Sequence, residues 1–280
     1  MTQHPSVQGM DTVRLRGPNG EQATILLQGA HLLSWIPAEA DEQLYLSANS
    51  AWAAGSPVRG GVPVIFPQFA KLGPLAQHGF ARTLPWQLDK TSSTATTAVL
   101  VLRDDDGTRL LWPQSFELQL RIHITGRQLH LELGCLNTGT TPFDFTSALH
   151  TYLAVTDIGQ AKVLGLEGLP YIDAVDQQEK MQYEALLATQ GQLNRVYRQC
   201  RPDLLLHEQQ GEALRQIAIR QQGFSDVVVW NPGEALCATL PDMTPQGYLS
   251  MLCVEAAQLS QPVHLDPGQR WIGAQSLQLL

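Results

Sequence analysis

The feature that most constrains the fold is a strict alternation of apolar and polar residues near the middle of the chain. Apolar side chains occupy every second position in residues 116–124 and again in residues 129–133, with Gly126 in a turn between them. A period of two places such side chains on one face of a strand, whereas a helix needs apolar residues every three or four positions. The segment therefore predicts a long antiparallel hairpin with one buried face.

Shorter apolar runs broken by turns predict further strands, at residues 23–27, 29–35, 96–102, 143–149, 204–207, 217–220, 227–230, 249–254 and 276–279. Residues 104–107 read as an Asp-Gly turn, and only residues 177–187 have a weak helical character. Because strands do not alternate with long helices, a parallel α/β fold is disfavoured. No linker or internal repeat divides the chain. We expect an all-β fold, a large antiparallel sandwich formed by residues 1–280 as a single domain.

Composition restricts the partners. The chain has 280 residues, 44% of them hydrophobic, and a formal net charge of −8. Nucleic acids and anionic membrane surfaces reward a basic protein face, so neither is expected as the main partner. The sequence contains no run of 18 consecutive apolar residues, so no membrane span is predicted. Any anion site must therefore be a local cluster of positive side chains.

The cysteines and the N-terminal segment indicate a compartment. Cys135, Cys200, Cys237 and Cys253 are scattered, with neither a C-x-x-C pair nor metal-ligand spacing. Residues 1–9 lack the basic start and apolar run of a signal peptide. We expect a cytoplasmic protein with reduced, buried thiols.

Residues 59–82 form the most unusual stretch, RGGVPVIFPQFAKLGPLAQHGFAR. Its three prolines fix φ and its four glycines permit conformations that other residues avoid, so a shaped loop is expected instead of a regular element. Such loops often carry binding residues. A lone arginine is more often simply solvated, but Arg59 and Arg82 bracket the loop, which favours an anion site.

Few local motifs point to a reaction. The chain has no Gly-rich phosphate loop, no G-x-S-x-G elbow and no H-x-x-x-H pair, so the residues offer no support for nucleotide binding, a serine nucleophile or a metal site. His31 and His123 read as ordinary sheet residues. His150 and Glu255 each follow a predicted strand, and a carboxylate in such a place needs a partner or a function. Taken alone, each is more often structural.

Several short motifs occur in a recognisable order along nearly the whole chain: Gly29-Ala30-His31, Arg59-Gly60-Gly61-Val62-Pro63, Gln77-His78-Gly79-Phe80-Ala81-Arg82, His150-Thr151-Tyr152, Arg195-Val196-Tyr197, Val229-Trp230-Asn231-Pro232 and Cys253-Val254-Glu255-Ala256-Ala257. Together they resemble the aldose 1-epimerase (galactose mutarotase-like) superfamily, and most of all its glucose-6-phosphate 1-epimerase branch. The resemblance implies a β-supersandwich, in which two large antiparallel sheets leave an open groove.

The resemblance also implies a mechanism. The catalytic histidine and glutamate of the family fall on His150 and Glu255, and no metal or organic cofactor is implied. Glu255 would act as the general base at the anomeric hydroxyl and His150 as the general acid at the ring oxygen. Unperturbed pKa values of about 4.3 for Glu and about 6.5 for His suit one ionised group and one proton carrier near neutrality.

In the phosphate-using branch, arginines that match Arg59 and Arg82 lie at the substrate phosphate, and a glutamine that matches Gln77 binds substrate. His78 is equally consistent with a sugar contact and with a loop-stabilising role. One position departs from the family, because Asn194 stands where an aspartate is usual. Asparagine keeps a hydrogen-bond acceptor but loses the charge, so a sugar contact survives and a carboxylate role does not.

Three functions fit these residues. The first is a monomeric hexose-6-phosphate mutarotase that takes a small-molecule sugar phosphate. The second is a sugar-phosphate-binding or regulatory protein of the same fold without turnover, an alternative that Asn194 leaves open. The third is an aldose 1-epimerase acting on free sugars, against which Arg59 and Arg82 argue.

Overall fold

The computed structural model describes residues 6–189, 191–200 and 203–280. Most of residues 1–9, on which the signal-peptide interpretation depends, therefore lie outside the described residues. Strands dominate the described part. In chain order they are β1 (Ser6–Val7), β2 (Met10–Arg16), β3 (Gln22–Leu26), β4 (His31–Ile36), β5 (Val64–Ile65), β6 (Gln87–Leu88), β7 (Thr97–Arg103), β8 (Phe116–Thr125), β9 (Gln128–Asn137), β10 (Phe143–Leu149) and β11 (Tyr152–Ala154).

The remaining strands are β12 (Ala161–Leu164), β13 (Pro170–Asp173), β14 (Gln178–Met181), β15 (Leu186–Ala188), β16 (Leu193–Tyr197), β17 (Leu204–Gln210), β18 (Ala213–Gln222), β19 (Asp226–Asn231), β20 (Met251–Leu265) and β21 (Arg270–Leu279). Helices are short: α1 (Asp106–Leu111), α2 (Gly233–Cys237) and single 3₁₀ turns at Ala81–Thr83, Ile158–Gln160 and Gly247–Ser250. Across the described ranges, no helix has the length and apolar character needed to cross a membrane.

The strands form two large antiparallel sheets and a smaller one. The nine-stranded sheet has the order β15-β12-β17-β18-β21-β9-β8-β7-β6. The eight-stranded sheet has the order β14-β13-β16-β19-β20-β10-β5, with β11 also paired to β20. Strands β1 to β4 pair in sequence as a third sheet. The predicted all-β, antiparallel sandwich is confirmed, and the four-stranded sheet adds to the two large ones that the resemblance implied.

The hairpin predicted from the alternation is β8–β9. Its strands pair from Phe116 opposite Asn137 to Thr125 opposite Gln128, as a long antiparallel ladder. The alternating apolar residues of residues 116–124 and 129–133 are at most 1% exposed. They belong to one hydrophobic core that includes side chains of all three sheets, among them Ile25, Leu120 and Val254. Packing of this one face is what holds the sheets together, since buried apolar area dominates stability.

Side chains of β20, a central strand of the eight-stranded sheet, alternate between the main core and the opposite face of the sheet. Val254 points into the main core, while Cys253 on the same strand packs in a separate cluster on the other face. Glu255 is opposite Val228 in the ladder, and Val228 also lies outside the main core. Cys253 and Glu255 thus face the groove side of the sheet.

Three local predictions were wrong. Residues 177–187 contain β14 and the start of β15 instead of a helix. Residues 104–107 lead into α1 instead of a tight Asp-Gly turn, because Asp105 and Thr108 form a reciprocal capping box that begins a helix. Glu255 lies inside the 15-residue strand β20, whereas the sequence placed it at a strand end.

Candidate active site

Strand register brings the two predicted catalytic residues together. Leu149, the last residue of β10, pairs with Ala256 of β20. Because the two strands are antiparallel, His150, which follows Leu149, lies beside Glu255, which precedes Ala256. Backbone hydrogen bonds fix the segment after β10: the His150 amide donates to Pro63 O and the Tyr152 amide to Gly61 O, at 3.1 and 2.9 Å. The histidine is therefore placed by sheet pairing on one side and by the 59–82 loop on the other.

His150 and Glu255 are in contact. Nε2 of His150 lies 3.4 Å from Oε1 of Glu255, and both residues are buried. In the described part of the chain, Nδ1 of His150 and Oε2 of Glu255 have no hydrogen-bond partner although both atoms are buried. Buried polar atoms normally have partners, so these two mark a place where a polar ligand would complete the hydrogen bonding.

Burial changes the protonation expected of the pair. Burial raises the pKa of Glu255 well above its usual range. Burial also lowers the pKa of His150 well below its usual range, with smaller contributions from His78, Arg59 and Arg82. Both shifts favour neutral side chains, a carboxylic acid beside an imidazole, in the ligand-free protein. The expectation from unperturbed pKa values, one ionised group and one proton carrier near neutrality, therefore does not describe the ligand-free pair.

The loop that carries the arginines is pressed against the small sheet. Gly60 and Gly61 both have positive φ, and a side chain on Gly61 would come within 2.1 Å of Leu32 O. Nε2 of His31 lies 2.6 Å from Gly60 O and fixes the same turn. Only glycine fits this close approach. His31, predicted as an ordinary sheet residue, thus holds the turn that positions Arg59.

Arg59 is already hydrogen-bonded on two sides. Its Nε and Nη2 donate to Oδ2 and Oδ1 of Asp242 at 3.0 and 3.2 Å, and its Nη1 donates to the Tyr152 hydroxyl at 3.0 Å. The Tyr152 ring stacks on the His150 ring, with centroids 4.8 Å apart and planes at 13°. A guanidinium has five N–H donors, so these three bonds leave two for a ligand.

Arg82 has fewer partners. Its Nη2 donates to Gln77 O at 3.0 Å, while its buried Nε has no hydrogen-bond partner among the described residues. Burial lowers the pKa of Arg82 relative to an ordinary arginine, yet a guanidinium stays charged at neutral pH. Arg82 is therefore the more available of the two arginines for an anionic ligand.

One pocket collects these side chains. It is lined by Pro57, Val58, Arg59, Pro63, Gln77, His78, Arg82, His150, Tyr152 and Asp242. Five of the seven predicted site residues therefore lie at a single cleft, and Glu255 adjoins it through its contact with His150. A cleft with two guanidinium groups and an acid–base pair suits a ligand that has both an anionic group and hydroxyl groups.

His78 stabilises the loop and also lines the pocket. Its Nδ1 accepts the Ala70 amide at 3.3 Å, which stabilises the loop. Its ring is also 5.6 Å from the His150 ring, and His78 lines the pocket. Burial, followed by the charges of Arg82 and Arg59, lowers the pKa of His78 to about 3. The side chain is therefore neutral at physiological pH.

Asn194 is not brought into the pocket. It lies on β16 opposite Trp230 of β19, and Trp230 in turn pairs with Cys253 of β20. Paired residues share a face, so Asn194 is on the same side of the sheet as Glu255 but two strands away, about 10 Å by strand spacing. The Trp230 ring, 6.1 Å from the His150 ring, stands between them.

Sequence reasoning missed three residues of the site: Tyr152, Trp230 and Asp242. Tyr152 and Trp230 belong to motifs of the resemblance, and their positions within strands next to His150 were the available signal. Asp242 carries no local signal. It lies after α2 in a loop whose backbone is held by Ser47 Oγ, which donates to Asp242 O at 2.7 Å.

One group of side chains has the composition of a metal site. His150, Cys253 and Glu255 each offer a potential ligand atom within 4.8 Å of the other two. A cysteine ligand must be a thiolate. Burial, followed by the nearby Glu255, raises the pKa of the Cys253 thiol well above its usual range. A metal ion bound here would have to displace the protons that burial favours on both the thiol and the carboxyl group.

Comparison with known proteins agrees with this geometry. A family model described as aldose 1-epimerase matches residues 11–278. A protein of Escherichia coli strain K12 named "Putative glucose-6-phosphate 1-epimerase" is 39% identical over 249 residues, which cover 86% of this chain and 81% of that protein. A protein of Cenchrus ciliaris with the same name is 32% identical over 276 residues, which cover 95% of this chain and 83% of that protein.

A solved structure shares both the fold and part of the sequence. The crystal structure of YeaD from Salmonella typhimurium, described as a "putative mutarotase", superposes with a TM-score of 0.88 at 33% identity. The match covers 98% of this chain and 92% of that one. The resemblance inferred from the short motifs is thereby confirmed. Because the family model matches nearly the whole chain and the fold agrees with it, the chain belongs to the aldose 1-epimerase family, whose members are isomerases of carbohydrates.

Proposed function

We propose that this protein is a hexose-6-phosphate mutarotase, which interconverts the α and β anomers of glucose 6-phosphate or a related hexose 6-phosphate. In this proposal residues 1–280 act as a single-domain, monomeric, cytoplasmic enzyme that needs no metal or organic cofactor. The observation that carries the proposal is the position of Arg59 and Arg82 in the same pocket as His150. An epimerase for free sugars has no need of two guanidinium groups beside its acid–base pair.

The chemistry follows from the His150–Glu255 contact. The Glu255 carboxylate takes the proton of the C1 hydroxyl, the bond between C1 and the ring oxygen breaks, and the C1 carbonyl forms. The His150 imidazolium gives its proton to the departing ring oxygen. Rotation about the C1–C2 bond precedes closure, in which the neutral imidazole takes back that proton and the Glu255 carboxyl protonates the carbonyl oxygen. Each acid or base of this kind contributes about 10²–10⁴-fold.

The resting protonation of the pair matches one stage of this cycle. Ring opening leaves a neutral imidazole beside a carboxylic acid, the form that burial favours in the ligand-free protein. The ion-pair form is required when a closed sugar is bound. A closed substrate must therefore shift one proton from Glu255 to His150 before ring opening, and the buried pair can exchange that proton across 3.4 Å.

Arg59 and Arg82 would bind the phosphate, and Gln77 and His78, which line the same pocket, would contact the sugar. Hydrogen bonds to charged groups contribute about 1.5–3 kcal/mol each. Two arginines would thus favour a phosphorylated sugar over a free one by about 10²–10⁴-fold. The names of the Escherichia coli and Cenchrus ciliaris relatives also refer to glucose 6-phosphate, which supports this choice of substrate.

The test is exchange NMR between the two anomers of glucose 6-phosphate, with glucose in a parallel sample. Faster exchange of the phosphate ester alone supports the proposal. Equal acceleration of both sugars would make the protein an aldose 1-epimerase for free sugars. Acceleration of neither, together with calorimetric binding of glucose 6-phosphate, would make it a sugar-phosphate-binding protein without turnover.

A further inference from the structure

The phosphate site and the catalytic histidine are parts of one cluster. Arg59 is joined to His150 through Tyr152, whose hydroxyl accepts from Arg59 at 3.0 Å and whose ring stacks on the imidazole at 4.8 Å. Arg82 lines the same pocket. A group bound between the guanidinium groups would therefore lie close enough to His150 to change its electrostatic surroundings, because His150 is buried and charges near it are weakly screened.

The charges of the cluster act unequally on the two catalytic residues. After burial, the positive charges of Arg59 and Arg82 are among the causes that lower the pKa of His150. The raised pKa of Glu255 results from burial. Neutralising the arginines would therefore favour the protonated imidazole without a matching effect on the carboxyl group. The ion-pair form of the couple, which a closed sugar requires, would gain population.

We propose that the phosphate group of the substrate activates His150 as well as anchoring the sugar, by neutralising Arg59 and Arg82 and so allowing the imidazole to take the proton held by Glu255. This inference rests on the proposed mutarotase function and extends it. Phosphate in this pocket raises turnover itself, in addition to affinity. When a free sugar enters the same pocket, His150 and Glu255 both remain neutral.

Several titratable groups surround His150 and affect its protonation. The 59–82 loop contributes two arginines and a neutral histidine, the strands contribute a neutral tyrosine, a thiol and the glutamate, and the loop after α2 contributes a carboxylate. They are Arg59, Arg82, His78, Tyr152, Cys253, Glu255 and Asp242. Asp242 already balances part of the Arg59 charge through its two hydrogen bonds. Arg82 forms no salt bridge among the described residues, so its charge remains available for a bound anion to neutralise.

A direct test is an NMR pH titration of the His150 imidazole, with the signal assigned by its loss in His150→Ala. Inorganic phosphate is compared with chloride at equal ionic strength. We expect phosphate to move the midpoint upward by about one pH unit or more, the size of shift that a nearby charge produces. An unchanged or lowered His150 midpoint at saturating phosphate overturns the proposal.

A kinetic test adds inorganic phosphate to the reaction with glucose, a sugar that has no phosphate group. We expect inorganic phosphate to raise the kcat for free glucose at least tenfold, after subtraction of the rate that phosphate produces with Glu255→Gln protein. Arg82→Ala should lose this activation, whereas Arg220→Ala, which removes an exposed arginine on the other large sheet, should keep it. Simple inhibition of glucose turnover by phosphate would contradict activation.

The two proposals fail in different ways. If glucose 6-phosphate is not turned over although phosphate binds and raises the His150 midpoint, the mutarotase function is wrong while the coupling between phosphate and His150 stands. If glucose 6-phosphate is turned over but kcat equals that for glucose, the function stands and the activation is wrong. Substrate preference would then reside in KM alone.

Discussion

Nε2 of His150 and Oε1 of Glu255 lie 3.4 Å apart, in a place where neither residue is more than 8% exposed. Burial pushes the two pKa values in opposite directions, upward for Glu255 and downward for His150. The couple therefore rests as two neutral groups that share one transferable proton. This relationship gives each residue an effect on stability as well as on turnover.

Glu255→Gln should lower kcat for anomerisation by about 10²–10⁴-fold, because the amide cannot take the C1 hydroxyl proton. The same change should stabilise the protein at neutral pH. The raised pKa means that the folded state keeps a proton which the unfolded state releases above pH of about 4.5, so the contribution of Glu255 to stability falls as pH rises. Thermal unfolding at pH 4 and pH 7 checks this, and the Tm gain of the variant should appear only at the higher pH.

Arg82→Ala should raise the KM for glucose 6-phosphate by about 10–100-fold and leave the KM for glucose nearly unchanged, because one charged hydrogen-bonding partner of the phosphate is lost. Steady-state kinetics on both sugars measures the ratio. Arg220→Ala is the matched control, since it removes an exposed arginine whose partner is Asp203. Equal changes in KM for both sugars would remove Arg82 from the phosphate site.

Asp242→Ala should raise the KM for glucose 6-phosphate by about tenfold, because Arg59 loses the two hydrogen bonds that hold its remaining donors towards the pocket. Asp242→Asn keeps one acceptor and should fall between the alanine variant and the native protein. In an Arg59→Ala background the same change should have little further effect. A lower KM in both Asp242 variants would show that the carboxylate repels the phosphate instead of positioning Arg59.

His31 should make the protein sensitive to mild acid. Burial, partly offset by its hydrogen bond to Gly60, lowers the pKa of His31 to about 4. The unfolded chain protonates this histidine below pH of about 6.5, whereas the folded protein does so only near pH 4, so stability is lost as pH falls through that interval. One such group contributes at most about 1.4 kcal/mol per pH unit.

The check is His31→Gln, which keeps a side-chain donor for Gly60 O and cannot titrate. Chemical denaturation at several pH values between 4 and 6.5 should give a flatter dependence of unfolding free energy on pH than in the native protein. His78 contributes a slope of the same sign, because its pKa is also lowered. An unchanged slope in the variant would mean that His31 is already protonated in the fold.

The parts of the structure that depend on local pattern could be predicted from the sequence. Alternation gave β8 and β9 with their buried face, because that periodicity is a property of neighbouring residues. The motifs of the resemblance identified His150, Glu255 and both arginines before the sheet register showed how they meet. The double glycine predicted a special backbone at residue 60, where φ is positive.

The rest depends on contacts between distant segments. Asp242 meets Arg59 across 183 positions of the chain, and nothing in its own surroundings indicates the contact. Residues 177–187 have helical propensity, but pairing with β13 and β12 overrides it and makes strands. The resting protonation of His150 and Glu255 could not be read from residue type, because burial and neighbouring charges determine it.

Glu255 lies within the 15-residue strand β20, which is hydrogen-bonded to β19 on one side and to β10 and β11 on the other. The residues that would bind the phosphate come instead from connecting segments at the mouth of the pocket. Under the proposed function, reaction chemistry and ligand choice would thus be encoded in parts of the chain that tolerate change very differently. Loop substitutions offer an evolutionary route to new sugar substrates that leaves the proton-transfer apparatus in the sheet intact.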